Sequence, residues 1–97
     1  MTTHFVSRHP GALEWMRKTR IHFDRHTMHL DMESIHPGDV VIGSLPVNLA
    51  AEVCARGATY RHLSLRLSVH DRGRELSATE LEAYEAALET YFVEKLP

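Results

Sequence analysis

The fold is decided by the stretch GDVVIGSLPVNLAAEVCARG, residues 38–57. It opens with the continuous apolar run Val40–Gly43, which is typical of a central parallel strand covered on both faces. After Ser44-Leu45-Pro46 the pattern becomes helical over residues 47–56, and Gly57 is well placed to end that helix. The stretch therefore predicts a buried parallel strand, a tight loop and a helix.

The same order of elements precedes this stretch. Residues 4–7 form a short apolar run, and Pro10 suits the first turn of a helix, where a missing N–H does no harm. Residues 21–30 alternate weakly and predict a strand with a bend. A helical turn is expected at residues 31–35, before the turn residues 36–39.

The C-terminal part adds a strand and a helix. Residues 59–69 alternate with a period of two, and Ser77 with Glu80 fits a capping box that starts a helix. The spacing of the apolar residues predicts that this helix extends to Phe92. These residues are Leu81, Tyr84, Leu88, Tyr91 and Phe92. Residues 1–97 are thus predicted to be a single α/β domain, a small Rossmann-like, open, mostly parallel four-stranded sheet with helices on its faces.

Composition restricts the class of protein. The chain has 97 residues, 43% of them hydrophobic and 25% charged, which excludes a disordered chain. The net charge of −2 argues against binding of bulk nucleic acid, which needs a broad basic surface. No apolar run approaches the ~18 residues of a membrane span, and the N-terminus does not resemble a signal peptide. Together with the lone Cys54, these features lead us to expect a cytoplasmic protein that does not bind membranes.

Charge and topology point to an anion site. Residues 1–74 hold ten Lys and Arg against seven Asp and Glu, whereas residues 75–97 hold one Lys against six Glu. Ligands of open α/β sheets bind beyond the carboxyl ends of the strands. Two segments occupy that position, the first loop (residues 7–11) and the second loop (residues 43–48). Both place small residues and a proline at a helix N-terminus, where free N–H groups and the helix dipole favour an anion.

The first loop carries side chains suited to chemistry on a phosphate. Arg8 can clamp a phosphate, His9 can transfer a proton near neutral pH, and Ser7 can contribute a hydroxyl contact. We expect these three residues to be catalytic. They are also expected to bind the ligand, together with Gly11, Ser44, Leu45, Pro46, Asn48 and Arg74.

Structural explanations stay open for several of these positions. Ser7, Pro10, Ser44 and Pro46 could serve only to cap and start helices. Arg72 and Arg74 could lean over the same end of the sheet or belong to a solvated loop. Neither loop is a dinucleotide-binding or P-loop motif, so we expect no cofactor.

Eight histidines raise the question of a metal site. His22, His26 and His29 have a spacing that would align them on a helix. The region is predicted as a strand, however, where these positions fall on mixed faces. Because no zinc-binding His or Cys motif accompanies them, we expect no bound metal.

Five blocks of sequence stand out together: FVSRHPGA at 5–12, HLD at 29–31, GDVVIGSLPV at 38–47, LAAEVCARGA at 49–58 and RGREL at 72–76. Through these blocks the chain resembles, over nearly its whole length, a small family of CRISPR-associated accessory proteins of type III loci. The first block is the most specific part of the resemblance. Ser44 stands where the family has threonine as often as serine, which keeps a hydroxyl in place.

The resemblance implies a ring nuclease. Such proteins bind cyclic oligoadenylate, the second messenger made when a type III complex senses invading RNA, and linearise it to end the antiviral response. Cyclic tetra-adenylate is the ring that we expect here. Because this ring is near two-fold symmetric, a homodimer whose strand-end faces meet would match it.

The implied reaction is metal-independent. The ribose 2′-hydroxyl attacks the adjacent phosphorus in line and leaves a 2′,3′-cyclic phosphate and a 5′-hydroxyl. Arg8 and the N–H groups of the two loops would stabilise the nonbridging oxygens, and His9 would transfer a proton. The alternative is a cyclic-nucleotide-binding protein without activity, either a sponge or a sensor, because the same anion loops would serve it.

Overall fold

The computed structural model describes residues 1–65 and 75–97 of the chain. These residues form β1 (Thr3–Val6), α1 (Pro10–Lys18), β2 (Arg25–Thr27), a 3-10 turn (Met32–Ser34), β3 (Val40–Gly43), α2 (Val47–Ala55), β4 (Thr59–Ser64), α3 (Ala78–Ala83) and β5 (Ala87–Tyr91). The strands lie in the order β2-β1-β3-β4-β5, and each neighbouring pair is parallel except β4 with β5. The expected α/β class with an open, mostly parallel, Rossmann-like sheet is confirmed.

The direction of winding reverses between β1 and β3. From β1 the chain passes through α1 to β2 at one edge, and from β3 it passes through α2 to β4 on the other side. Phe5 and Ile42 pack with α1 and α3 on one face of the sheet, whereas Val41 and Tyr60 pack with α2 on the other. Such a reversal opens a crevice beyond the carboxyl ends of the two central strands.

The helix ends agree with their local sequence. Pro10 is the first residue of α1, and Gly57 follows α2 with a φ of 82° that suits glycine. Before α3, the Ser77 hydroxyl accepts from the Glu80 N–H at 3.2 Å, and the Glu80 carboxylate accepts from the Ser77 N–H at 3.2 Å. The predicted capping box is therefore confirmed. Among the helices of the described residues, none is long and apolar enough to cross a membrane.

The end of the chain corrects the expected strand count. The prediction of four strands and a helix extending to Phe92 is wrong, because α3 ends at Ala83 and Glu85 adopts a φ of 57°. The residues that follow form β5, which pairs antiparallel with β4 and sets Leu88 opposite Leu63. Pairing with β4 satisfies backbone groups that would otherwise lie at an open sheet edge. This tertiary gain outweighs the helical propensity of a segment rich in Glu, Ala and Leu.

Two other strands differ in length from the prediction. β2 covers only Arg25–Thr27 of the expected 21–30, since Arg20 turns with a φ of 58° and the N–H of Ile21 donates back to Met16. All three β2 residues are exposed, as suits an edge strand. β4 ends at Ser64, and residues 66–69 of the strand expected at 59–69 lie outside the described residues.

A cluster of hydrogen bonds around the buried Asp39 carboxylate closes the end of the sheet opposite the crevice. Asp39 accepts from the N–H of Thr2 at 2.9 Å and from the N–H of His36 at 3.1 Å. The Nε2 atom of His4 donates to the same carboxylate at 3.1 Å, and both partners are only 4% exposed. These hydrogen bonds, the one from Thr2 first, hold the pKa of Asp39 well below its usual range. Asp39 therefore joins the starts of β1 and β3 as a carboxylate.

Candidate functional site

A cleft of about 520 Å³ lies beyond the carboxyl ends of β2, β1 and β3. The first loop follows β1, the second loop follows β3, and Met28, His29 and Leu30 follow β2. The cleft thus occupies the place where the winding reverses, as expected for a ligand site in an open α/β sheet.

The floor of the cleft is apolar and its rim is polar. The floor is built from side chains of the sheet and of all three helices, among them Phe5, Ala12, Leu49, Leu63 and Leu81. The rim carries Ser7, Arg8, His9, His29 and Ser44. A ligand with flat apolar rings and anionic groups can satisfy both surfaces.

The first loop presents an exposed cation, Arg8, and a hydroxyl, that of Ser7, which accepts a backbone hydrogen bond. The N–H of His9, the N-cap residue of α1, donates to Oγ of Ser7 at 3.1 Å. Nδ1 of His9 lies 3.7 Å from Oε1 of Glu75, with both side chains more than half exposed. The exposed Arg8 side chain has no hydrogen-bond or ion-pair partner within residues 1–65 and 75–97. Its guanidinium can therefore bind a ligand at no cost in internal contacts.

Helices α1 and α2 begin after β1 and β3, at the end of the sheet where the cleft lies. α2 begins after Pro46 without a side-chain cap, and α1 likewise has no side-chain cap. The N–H groups of Gly11, Val47 and Asn48 donate to no acceptor in the described part of the chain. Unsatisfied first-turn N–H groups and the helix dipole together favour an anion.

Tyr60 holds the second loop from below, a role that the sequence analysis missed. Its buried hydroxyl accepts from the N–H of Leu45 at 2.9 Å and lies 3.2 Å from the carbonyl oxygen of Gly43. The Tyr60 hydroxyl oxygen is also 2.6 Å from Nδ1 of His62. Burial raises the pKa of Tyr60, which keeps the hydroxyl protonated. The signal in the sequence was the alternation along β4, which places Tyr60 and His62 on the same face of that strand, next to the end of β3.

His26 supports the first loop in a similar way. Its Nε2 lies 3.1 Å from the carbonyl oxygen of Ser7, so an N–H there donates to it, and its ring stacks on Phe5 at 5.4 Å between centroids. His22 instead pairs with Asp24 at 3.0 Å, and His29 lines the cleft. The three histidines thus have separate surroundings and do not form one face of a helix.

The structure brings most, but not all, of the residues expected at the site to the cleft. Ser7, Arg8, His9, Ser44, Leu45 and Pro46 line the cleft. Gly11 lies against Leu76, where a Cβ atom would overlap the Leu76 carbonyl oxygen, so close packing explains this glycine. Asn48 lines a separate surface groove with Val47 and Phe92, although its N–H belongs to the first turn of α2. Arg74, like Arg72, lies outside the described residues.

Fold and site together define a small α/β protein with a ligand cleft at the point where the winding of its sheet reverses. Residues 4–94 match a family described as "Putative CRISPR-associated protein (Cas_VVA1548)". Since the match spans nearly the whole chain, the chain belongs to this CRISPR-associated family. The CRISPR association implied by the resemblance is confirmed. Comparisons with curated proteins and with solved structures found no match.

Proposed function

We propose that this protein binds cyclic tetra-adenylate in the cleft and linearises it, which ends the antiviral signal of a type III CRISPR system. The observation that carries the proposal is the cleft itself, with an apolar floor below a rim that carries Arg8 and His9, at the end of the sheet where α1 and α2 begin. Membership of a CRISPR-associated family supports the biological setting.

The two parts of the cleft suit the two parts of a nucleotide. Adenine rings can lie on the apolar floor, where burying their faces is favourable. Phosphates can meet the guanidinium of Arg8 and the N–H groups of Gly11, Val47 and Asn48. Tyr60 and His26 fix the loops that carry these donors, so little ordering is left for the ligand to induce.

The reaction that suits these groups is attack by a hydroxyl of the ligand itself. The ribose 2′-oxygen bonds to the adjacent phosphorus, the bond from phosphorus to the 5′-oxygen breaks, and a 2′,3′-cyclic phosphate and a 5′-hydroxyl result. Donors aimed at the nonbridging oxygens stabilise the developing charge, and His9 transfers a proton. Because the nucleophile is already in the substrate, the protein mainly has to align it, and no metal ion is required.

We also propose that two copies enclose one ring. A cleft of about 520 Å³ is of the size that encloses drug-sized molecules, whereas cyclic tetra-adenylate has four nucleotides. Two clefts related by a two-fold axis would match the symmetry of the ring. Light scattering at micromolar concentration should therefore give about twice the monomer mass. A mass near 11.1 kDa, with and without the ligand, would rule out the dimer.

Arg8 is expected to contribute strongly to binding. Arg8→Ala should weaken the affinity for cyclic tetra-adenylate by about 1.5–3 kcal/mol, which is about 10- to 150-fold, because a charged hydrogen-bond partner is lost. The melting temperature should barely change, since the exposed side chain has no internal partner among the described residues. Titration of both proteins with labelled ligand measures the difference.

The matched control is Arg17→Ala, which removes an exposed arginine from the last turn of α1, away from the cleft. This variant should bind like the parent. If Arg8→Ala also binds like the parent, or loses mainly stability, Arg8 has a structural role instead.

A further inference from the structure

We propose that His29 is a second catalytic imidazole and forms an acid–base pair with His9. This inference rests on the proposed function, because it names a further residue for the same cleavage reaction. It concerns a side chain that the sequence left without a role and that lines the same cleft as His9.

The surroundings of the histidines single out this pair. Of the seven histidines in residues 1–65 and 75–97, only His9 and His29 line the cleft. The other five have partners elsewhere: His4 and His36 approach Asp39, His22 pairs with Asp24, His26 with the carbonyl of Ser7 and His62 with Tyr60. The exposed His29 side chain has no hydrogen-bond or ion-pair partner in the described part of the chain, so internal contacts do not explain its position.

The backbone around His29 is anchored on both sides, whereas its side chain is exposed. On one side β2 pairs with β1, and on the other Leu30 packs against the apolar cluster below α2. Asp31 follows and accepts from the N–H of Glu33 at 3.2 Å, which caps the 3-10 turn. His29 is therefore carried between two anchored segments, next to the strand whose end carries His9.

In-line attack by a 2′-hydroxyl needs two proton transfers. A neutral imidazole takes the proton from the 2′-hydroxyl as the bond from the 2′-oxygen to phosphorus forms. An imidazolium gives its proton to the 5′-oxygen as the bond from phosphorus to that oxygen breaks. The entering and leaving oxygens lie on opposite sides of phosphorus, so two separate groups serve better than one. His9 and His29 come from the ends of adjacent strands and can meet this need.

The pair predicts a bell-shaped dependence of the cleavage rate on pH, with one limb for each imidazole. Besides His9 and His29, the one charged or titratable side chain that lines the cleft, among the described residues, is Arg8. Glu75 near His9, His26 below the first loop, Asp31 after His29 and His62 against Tyr60 lie next to the lining. A guanidinium group does not lose its proton in the range in which imidazoles titrate. A limb that disappears on substitution of His29 therefore belongs to His29.

The experiment is single-turnover cleavage of labelled cyclic tetra-adenylate from pH 5 to 9 by the parent and by His29→Ala, with binding measured in parallel. We expect His29→Ala to bind like the parent, to cleave the bound ring about 10²–10⁴-fold more slowly and to lose one limb of the profile. His29→Phe, which keeps a flat ring for stacking, should be as slow. The control His22→Ala removes an exposed histidine paired with Asp24 and should behave like the parent.

The possible failures are distinguishable. A parent that cleaves while His29→Ala keeps its rate and both limbs overturns the role of His29 and leaves the proposed function intact. Weaker binding of His29→Ala with an unchanged rate for the bound ring, rescued by His29→Phe, shows a stacking contact and also overturns the proposal. A parent that binds the ring without cutting it overturns the proposed function and this inference together.

Discussion

His9→Ala is expected to slow cleavage of cyclic tetra-adenylate by about 10²–10⁴-fold and to leave its affinity nearly unchanged, because general acid–base help is lost. Binding should persist, since Arg8 and the helix N–H groups still meet the phosphates. The fold should persist too, because the imidazole of His9 makes no cap hydrogen bond to α1 and the first loop stays held by His26. Single-turnover cleavage with binding measured in parallel separates the two effects.

The informative comparison is again with His22→Ala, which alters an exposed histidine outside the cleft. If His9→Ala cleaves at the rate of the parent, His9 has no part in the reaction. The enzyme would then depend on positioning by Arg8 and the backbone amides.

Asp39→Ala should cause the largest loss of stability, a fall in melting temperature of roughly 10 °C or more. The variant leaves two backbone N–H groups, those of Thr2 and His36, and the imidazole of His4 without their acceptor. Buried donors without partners cost far more than exposed ones. Asp24→Ala is the matched control, since Asp24 also accepts a backbone N–H and faces a histidine but lies at the surface. It should lower the melting temperature by only a few degrees.

The effect of Asp39 should depend on pH. The hydrogen bonds from Thr2, His36 and His4 lower the pKa of Asp39 in the folded protein below the value of about 3.9 for an unfolded chain. A carboxylate of this kind stabilises the fold fully above the unfolded pKa, and its contribution is lost as the pH falls towards the folded pKa. The difference in melting temperature between parent and Asp39→Ala should therefore shrink below about pH 4. A difference that grows on acidification would contradict this account.

The parallel part of the fold could be predicted because local and tertiary signals agree there. The run Val40–Gly43 is apolar on both faces, and the structure buries it at the centre of the sheet between α1 and α2. Pro10 and Gly57 mark helix ends by their own backbone preferences. At β5 the two kinds of signal disagree. The spacing of Leu81 and Leu88 fits one helix. In the structure Leu88 belongs to β5, because this segment pairs with the edge of β4, and no local sequence pattern reveals that edge.

The candidate site divides in the same way. Strand-to-helix loops can be located from sequence, which is why Arg8, His9 and Ser44 were expected at the cleft where the structure has them. The groups that hold these loops could not, because Tyr60 and His26 reach them from neighbouring strands. His29 falls near the end of the strand expected at 21–30, and in the structure β2 already ends at Thr27 and His29 lines the cleft. Local sequence patterns do not predict where a short edge strand ends, so they cannot fix the positions of the residues that follow it.

The central claim is that the protein itself cuts the ring without a metal, and one measurement tests it most directly. Purified parent protein is mixed with labelled cyclic tetra-adenylate in excess EDTA, and the products are separated over hours. The account predicts linear products that carry a 2′,3′-cyclic phosphate and a 5′-hydroxyl. Tight binding with no linear product, with or without added Mg²⁺, would contradict it and establish a sponge. Cleavage that appears only when Mg²⁺ is restored would contradict the metal-independent mechanism.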